Sequence, residues 1–308
     1  MRIVFFGTPD FSVPSLKQLV QESYNVVAVV TAIDKPAGRG LQIQSSAIKE
    51  TALSLGIPVL QPKNLKSSTF IEELSTYNAD IQIVIAFRML PETVWNMPRF
   101  GTYNLHASLL PDYRGAAPIN WAIINGEKKT GLTTFKLKHE IDTGDIILQK
   151  EILIENDMTA GELHDQMMID GAVIVLDTLR RIETGNEKPL PQDLSIRNHK
   201  KAPKLKKSDC KIDWYEDADR IHNFVRGLSP YPGAWSKWEE KTLKVRKVEK
   251  SPQIRLNPGE LFTKDKKLFV GTNDYALELI EIQLEGKKNM PVEDFLRGVK
   301  SIPKKLGN

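Results

Sequence analysis

Short apolar runs at Ile3 to Phe6, Val26 to Val30, Pro58 to Leu60 and Ile81 to Ala86 alternate with segments of helical spacing at Val13 to Val20, Ser46 to Leu55 and Phe70 to Tyr77. Strands alternating with helices predict βαβ units around a mostly parallel sheet. Ile81 to Ala86 is apolar on both faces, as a central strand covered by helices requires. Met158 to Ile182 reads as a long amphipathic helix, opened by Asp157 or Thr159 and stopped at Gly185. Prolines and charges then crowd the chain from Glu187 through Asn198 to Lys207, the composition of an exposed linker. Beyond Lys211-Ile-Asp-Trp214 the pattern changes. Ala218 to Arg226 is helical, and Thr242 to Val248, Lys267 to Val270 and Ala276 to Gln283 are short strands parted by Gly, Pro and Asn. That predicts a small, mostly antiparallel β-barrel. The expected organisation is therefore a Rossmann-like α/β domain over 1–189, a linker over 190–207 and a smaller β-barrel domain over 208–308.

A chain of 308 residues is long enough for two such cores. No apolar run approaches the roughly 18 residues of a membrane span, and the N-terminal strand turns at Gly7, too soon for a signal peptide. Cys210 is the single cysteine, which excludes an internal disulfide and a cysteine metal cluster; a partly exposed structural thiol is expected. A reducing cytoplasm is the expected compartment. Charge divides unevenly. Lys and Arg against Asp and Glu give a net −4 over residues 1–199 and +8 over 200–308. A basic second part points to a polyanionic partner held mainly by the C-terminal region, against the plainer reading of a lysine-rich solvated surface.

The densest candidate chemistry lies in Asn104-Leu-His106-Ala-Ser108-Leu-Leu-Pro111, then Tyr113-Arg-Gly115 and Ile141-Asp142-Thr-Gly-Asp145. Residues two apart on a strand point the same way, so Asn104 and His106 would project together from a strand end. An amide and an imidazole can jointly hold a developing oxyanion, and a nearby carboxylate can stabilise the charged ring or move a proton. Asp142 and Asp145 both qualify as that carboxylate, and Asp145 could simply cap its turn. No side-chain nucleophile stands beside a base, as a hydrolase would need. The set suits transfer of a carbonyl-level group to an incoming amine. Gly7-Thr-Pro-Asp-Phe11 lacks the Gly-x-Gly-x-x-Gly spacing that cradles a pyrophosphate, which disfavours a nicotinamide dehydrogenase. It reads as a strand-to-helix turn with Asp10 or Ser12 as cap. His139, His164, His199 and His222 read as structural.

The block Ser108-Leu-Leu-Pro-Asp-Tyr-Arg-Gly-Ala-Ala-Pro118 with its downstream Asp142 resembles the formyltransferases that use 10-formyltetrahydrofolate. Gly7 to Phe11, Asp34-Lys-Pro-Ala-Gly-Arg-Gly40 and Lys211 to Trp214 extend the likeness, in the family's order, over nearly the whole chain. The resemblance implies an oligonucleotide-binding type of barrel for the second domain. It also implies formyl transfer from 10-formyltetrahydrofolate, as co-substrate, to the α-amine of initiator methionyl-tRNA. Asn104, His106 and Asp142 would carry the chemistry, with Asp142 chosen because the family's reactive acid comes first in Asp-x-Gly. Phe87, Arg88, Met89 and Leu90, with Ser108, Leu109, Leu110 and Pro111, would line the folate pocket. Phe87-Arg88 stands where many relatives carry an aromatic followed by glycine. Lys35 and Arg39, on a long glycine-rich loop, and Lys204, Lys206 and Lys207 would face tRNA phosphates. No metal, membrane or protein partner is implied. A glycinamide ribonucleotide formyltransferase would end near the Met158 to Ile182 helix. A nucleotide-sugar formyltransferase or a non-catalytic RNA-binding protein are the remaining rivals.

Overall fold

A computed structural model describes residues 1–37, 42–193 and 199–307. The chain forms two compact units that interleave in sequence. The first comprises Met1–Gly115, Gly131–Ile152 and His164–Lys200, and the second Ala116–Thr130, Leu153–Leu163 and Lys201–Asn308. The expected division had made each domain one continuous segment.

In the first unit a seven-stranded sheet runs in the order Ile146–Leu153, Lys129–Lys136, Thr102–His106, Ile81–Ile85, Arg2–Gly7, Asn25–Val30, Val59–Leu60. The five strands from Thr102–His106 to Val59–Leu60 are parallel, and Lys129–Lys136 is antiparallel to its neighbour Thr102–His106. Apolar side chains fill both faces of the central strands, and Ile3 to Phe6 and Ile81 to Ile85 are buried, as a sheet covered on both sides demands. Successive strands extend away from Arg2–Gly7 first on one side and then on the other. This reversal leaves a crevice at the carboxyl ends of the strands. The turn after Arg2–Gly7 fits it tightly, since a Cβ at Gly7 would lie 2.6 Å from Ser12 Oγ. That hydroxyl donates to the Pro9 carbonyl at 2.7 Å, and Asp10 accepts from the next amide, Phe11 N. Neither side chain caps the helix Val13–Gln21, because both are spent inside the turn. Thr159 and Glu162 do cap the long helix Ala160–Glu183. Thr159 Oγ1 accepts from Glu162 N at 3.2 Å, and Glu162 accepts from Thr159 N at 2.8 Å. Lys35–Ala37 and Gln42–Gln44 form an antiparallel pair within the stretch expected to be one long glycine-rich loop. Its base is braced by Asp34, which accepts from Lys49 Nζ at 2.5 Å and Gln61 Nε2 at 2.9 Å.

The second unit holds an antiparallel sheet in the order Ala234–Trp238, Lys241–Ser251, Ala276–Leu284, Lys267–Val270, Leu261–Lys264, with Met290–Pro291 also on Ala276–Leu284. Residues 304–307 join its two edges. Gly307 and Lys237 exchange backbone bonds of 2.9 and 3.2 Å, while Leu306 N donates to Gly259 O and Leu261 N to Lys304 O, both at 2.9 Å. Closure removes the unpaired edges an open sheet would present. Lys211 to Trp214 belongs to the same device. Ile212 and Trp214 are fully buried by alternation, and Trp214 Nε1 donates to Ser236 Oγ, which donates to Gly307 O at 2.8 Å. Cys210, expected partly exposed, is buried here. Its thiol donates to Lys206 O at 3.2 Å, and burial pushes its pKa up. Among the described residues no helix is long and apolar enough to cross a membrane.

Leu306 is buried in this unit's core. Leu306→Ala is expected to cost about 2–5 kcal/mol of stability, read as a lower urea midpoint monitored by tryptophan fluorescence.

Candidate active site

The strand Thr102–His106 ends at the crevice, and the alternation of its side chains sets Asn104 and His106 on one face. The loop that follows is pinned to the neighbouring strand by Thr133, whose hydroxyl donates to Ser108 O at 2.6 Å and accepts from Leu110 N at 3.2 Å. Ser108 Oγ donates to Asp112 O at 2.6 Å. Tyr113 then takes a left-handed conformation, φ +59°, which turns its carbonyl onto the imidazole. His106 Nε2 lies 2.9 Å from Tyr113 O. A carbonyl only accepts, so Nε2 carries a proton there. The other ring nitrogen, Nδ1, faces Asp142 Oδ2 at 4.0 Å. That is too long for a direct hydrogen bond and wide enough for a shared polar atom to sit near both. The His106 side chain is 7% exposed and that of Asp142 14%, so both lie in a partly dry site. Asn104 is half-buried, and its amide makes no side-chain hydrogen bond among the described residues.

Asp142 is held from two sides. Its Oδ2 accepts from Gly115 N at 3.1 Å. Its own carbonyl and that of Gly144 accept from Gln192 Nε2 at 2.9 and 2.8 Å. Asp142 sits at φ +55°, uncommon for a residue with a side chain. Gly144 is required by proximity, since a Cβ would fall 1.7 Å from Lys136 O. Asp145 is the other acid of the motif, and it accepts from Lys138 Nζ at 2.7 Å. Arg114 donates to Gln192 Oε1 through Nη2, while its buried Nε has no partner among the described residues. Burial pulls the Arg114 pKa down, and the charges of Asp142 and Glu140 push it back up.

The candidate folate-lining residues divide. Leu90 and Leu110 belong to hydrophobic cores, and the Ser108 hydroxyl is engaged inside its own loop. Phe87 stacks edge-on against Phe6 at 5.6 Å, and Arg88 donates to the carbonyls of Pro62 and Lys63. Met89 is 74% exposed, and Leu109 and Pro111 are half-buried. The amides of Phe87 to Leu90 make no backbone hydrogen bond among the described residues. Lys35, Lys204, Lys206 and Lys207 are exposed, and Arg39 lies outside the described residues. Sequence reasoning assigned no role to Tyr113, Arg114, Gly115, Thr133 or Gln192. The first three lay within a quoted motif. Gln192 lay in a stretch whose composition marked it only as linker.

The family described as "Formyl transferase" matches residues 1–178, and "Formyl transferase, C-terminal domain" matches residues 204–300. The methionyl-tRNA formyltransferase of Flavobacterium johnsoniae is 49% identical over 304 residues, covering 97% of this chain and 96% of that protein. That of Azobacteroides pseudotrichonymphae is 52% identical over 310 residues, covering 96% and 95%. Among solved structures, HypX from Aquifex aeolicus in complex with tetrahydrofolic acid aligns with a TM-score of 0.68 at 22% identity. The alignment covers 98% of this chain and 49% of that longer one, and at this identity it speaks for the fold alone. With both parts of the chain matched, and relatives about half identical over nearly the full length, the chain belongs to the formyl transferase family, among the methionyl-tRNA formyltransferases.

Proposed function

We infer that the chain transfers a formyl group from 10-formyltetrahydrofolate to the α-amine of methionine esterified to initiator tRNA. Membership of the family supports the reaction, and the relatives' name, methionyl-tRNA formyltransferase, supports the acceptor. The observation that carries the chemistry is His106, with Nε2 bonded to Tyr113 O and Nδ1 turned toward Asp142 at 4.0 Å. Asn104 and His106 Nδ1 donate to the formyl oxygen as the amine adds to the formyl carbon. Nδ1 donates only in the doubly protonated ring, since Nε2 already carries the proton bonded to Tyr113 O. Asp142 takes the amine proton and passes it toward the folate nitrogen. The new N–C bond forms, the bond from the formyl carbon to that nitrogen breaks, and no acyl group is attached to the enzyme. The unbonded amides of Phe87 to Leu90, beside half-buried Phe87, offer a flat heterocycle donors and an apolar surface. The HypX structure is a complex with tetrahydrofolic acid, which supports a folate donor for this chain. Translation initiation in the cytoplasm is the setting this reading implies.

An assay offering initiator methionyl-tRNA and a nucleotide amino sugar with the same formyl donor tests the acceptor. Formylation of the sugar alone overturns the reading. Asn104→Ala and His106→Ala are each expected to lower kcat about 10²–10³-fold while leaving tRNA affinity nearly unchanged. Near-normal turnover in either variant removes that residue from the mechanism. Asp142→Asn should be similarly severe with an intact fold, and Asp145→Asn mild, because Asp145 is committed to Lys138; the reverse ranking would exchange their roles. Lys204, Lys206 and Lys207 are exposed. Replacing all three with Gln should flatten the salt dependence of tRNA binding by about 0.7–0.9 in slope per lost phosphate contact. An unchanged slope makes them solvating residues only.

A further inference from the structure

Gln192 lies within the stretch that composition reads as linker, yet it is 8% exposed. Its amide nitrogen spends both protons, on Asp142 O at 2.9 Å and Gly144 O at 2.8 Å, and its Oε1 accepts from Arg114 Nη2. The orientation has one solution, because carbonyls only accept and a guanidinium only donates. These bonds complete a ring. Tyr113 O accepts from His106 Nε2, Gly115 N donates to the Asp142 carboxylate, and Arg114 between them donates to Gln192, which donates to the backbone on which Asp142 stands. Without Gln192 the left-handed turn at Asp142 would lose the donor on its carbonyl, and half-buried Arg114 would lose an acceptor while its buried Nε already has none among the described residues.

We propose that Gln192 is a positioning residue for formyl transfer, setting Asp142 at its working distance from His106 Nδ1 without touching substrate. The proposal rests on the functional reading above. Only glutamine serves: glutamate would keep the acceptor for Arg114 but aim a carboxylate at two carbonyls, and methionine would keep the length and lose every donor.

The test is formylation of initiator methionyl-tRNA by the full chain carrying Gln192→Glu or Gln192→Met, alone and combined with Asp142→Asn, in single-turnover and steady-state assays. Each single variant should lose about 10–100-fold in kcat, the scale of a misplacement near 1 Å, with KM for tRNA and folate donor nearly unchanged. In the Asp142→Asn background the same substitution should cost nothing further, because its whole effect passes through that carboxylate. Unchanged kcat in the single variants, an equal additional loss in the Asp142→Asn background, or a rise in KM without loss of kcat would each overturn the assignment. Two variants of opposite polarity keep the test open if one does not fold. If the unmodified chain formylates no methionyl-tRNA, the functional reading falls; if it does and the variants match it, only the role of Gln192 falls.

Discussion

The hydrogen bond from His106 Nε2 to the carbonyl of Tyr113 decides what the ring can do. With Nε2 committed as donor, Nδ1 is the ring nitrogen without a hydrogen bond among the described residues, and its direction is set by the strand below and the loop above. Burial makes that bond worth more than it would be in water, and it makes the 4.0 Å approach of Asp142 electrostatically effective. The loop delivers the Tyr113 carbonyl only because its own backbone is tied down elsewhere. Thr133 holds Ser108 and Leu110, Asp112 accepts from Ser108 Oγ, and Tyr113 N donates to Lys200 O at 2.6 Å.

The acid side of the site depends on space. The Asp142 turn passes so close to the strand Lys129–Lys136 that no side chain fits at Gly144. The two acids of the motif thereby diverge, Asp142 toward the imidazole and Asp145 toward Lys138. Residues at the far end of the first unit's chain complete the arrangement: Gln192 under Asp142, and His199 and Lys200 around Asp112.

The second unit meets a different constraint. A short antiparallel sheet needs its edges covered, and residues 304–307 bond to both. Trp214 inserts into the same core with its indole nitrogen satisfied by Ser236, which gives the Lys211 to Trp214 motif a structural reason. Of the cations that make this half of the sequence basic, Arg226 is buried, while Lys204, Lys206 and Lys207 are exposed.

Periodicity alone determined the α/β character of the first unit and the β character of the second, because burial on one or two faces imprints a period on the chain. Alternation also put Asn104 and His106 on one face of their strand, and the motif brought Asp142 with them. Composition misled where polarity is not exposure: Gln192 and the thiol of Cys210 are both buried in stretches that read as open. The strands Ala234–Trp238 and Leu261–Lys264, and the closing segment, are too short or irregular to carry a period. Only the tertiary structure decided which nitrogen of His106 is free, which acid faces it and what holds that acid. What holds the acid rests on hydrogen bonds between residues 50 and 78 positions apart, Gln192 to Asp142 and to Arg114. Bonds of that range leave no period in the sequence and exist only once both segments have folded.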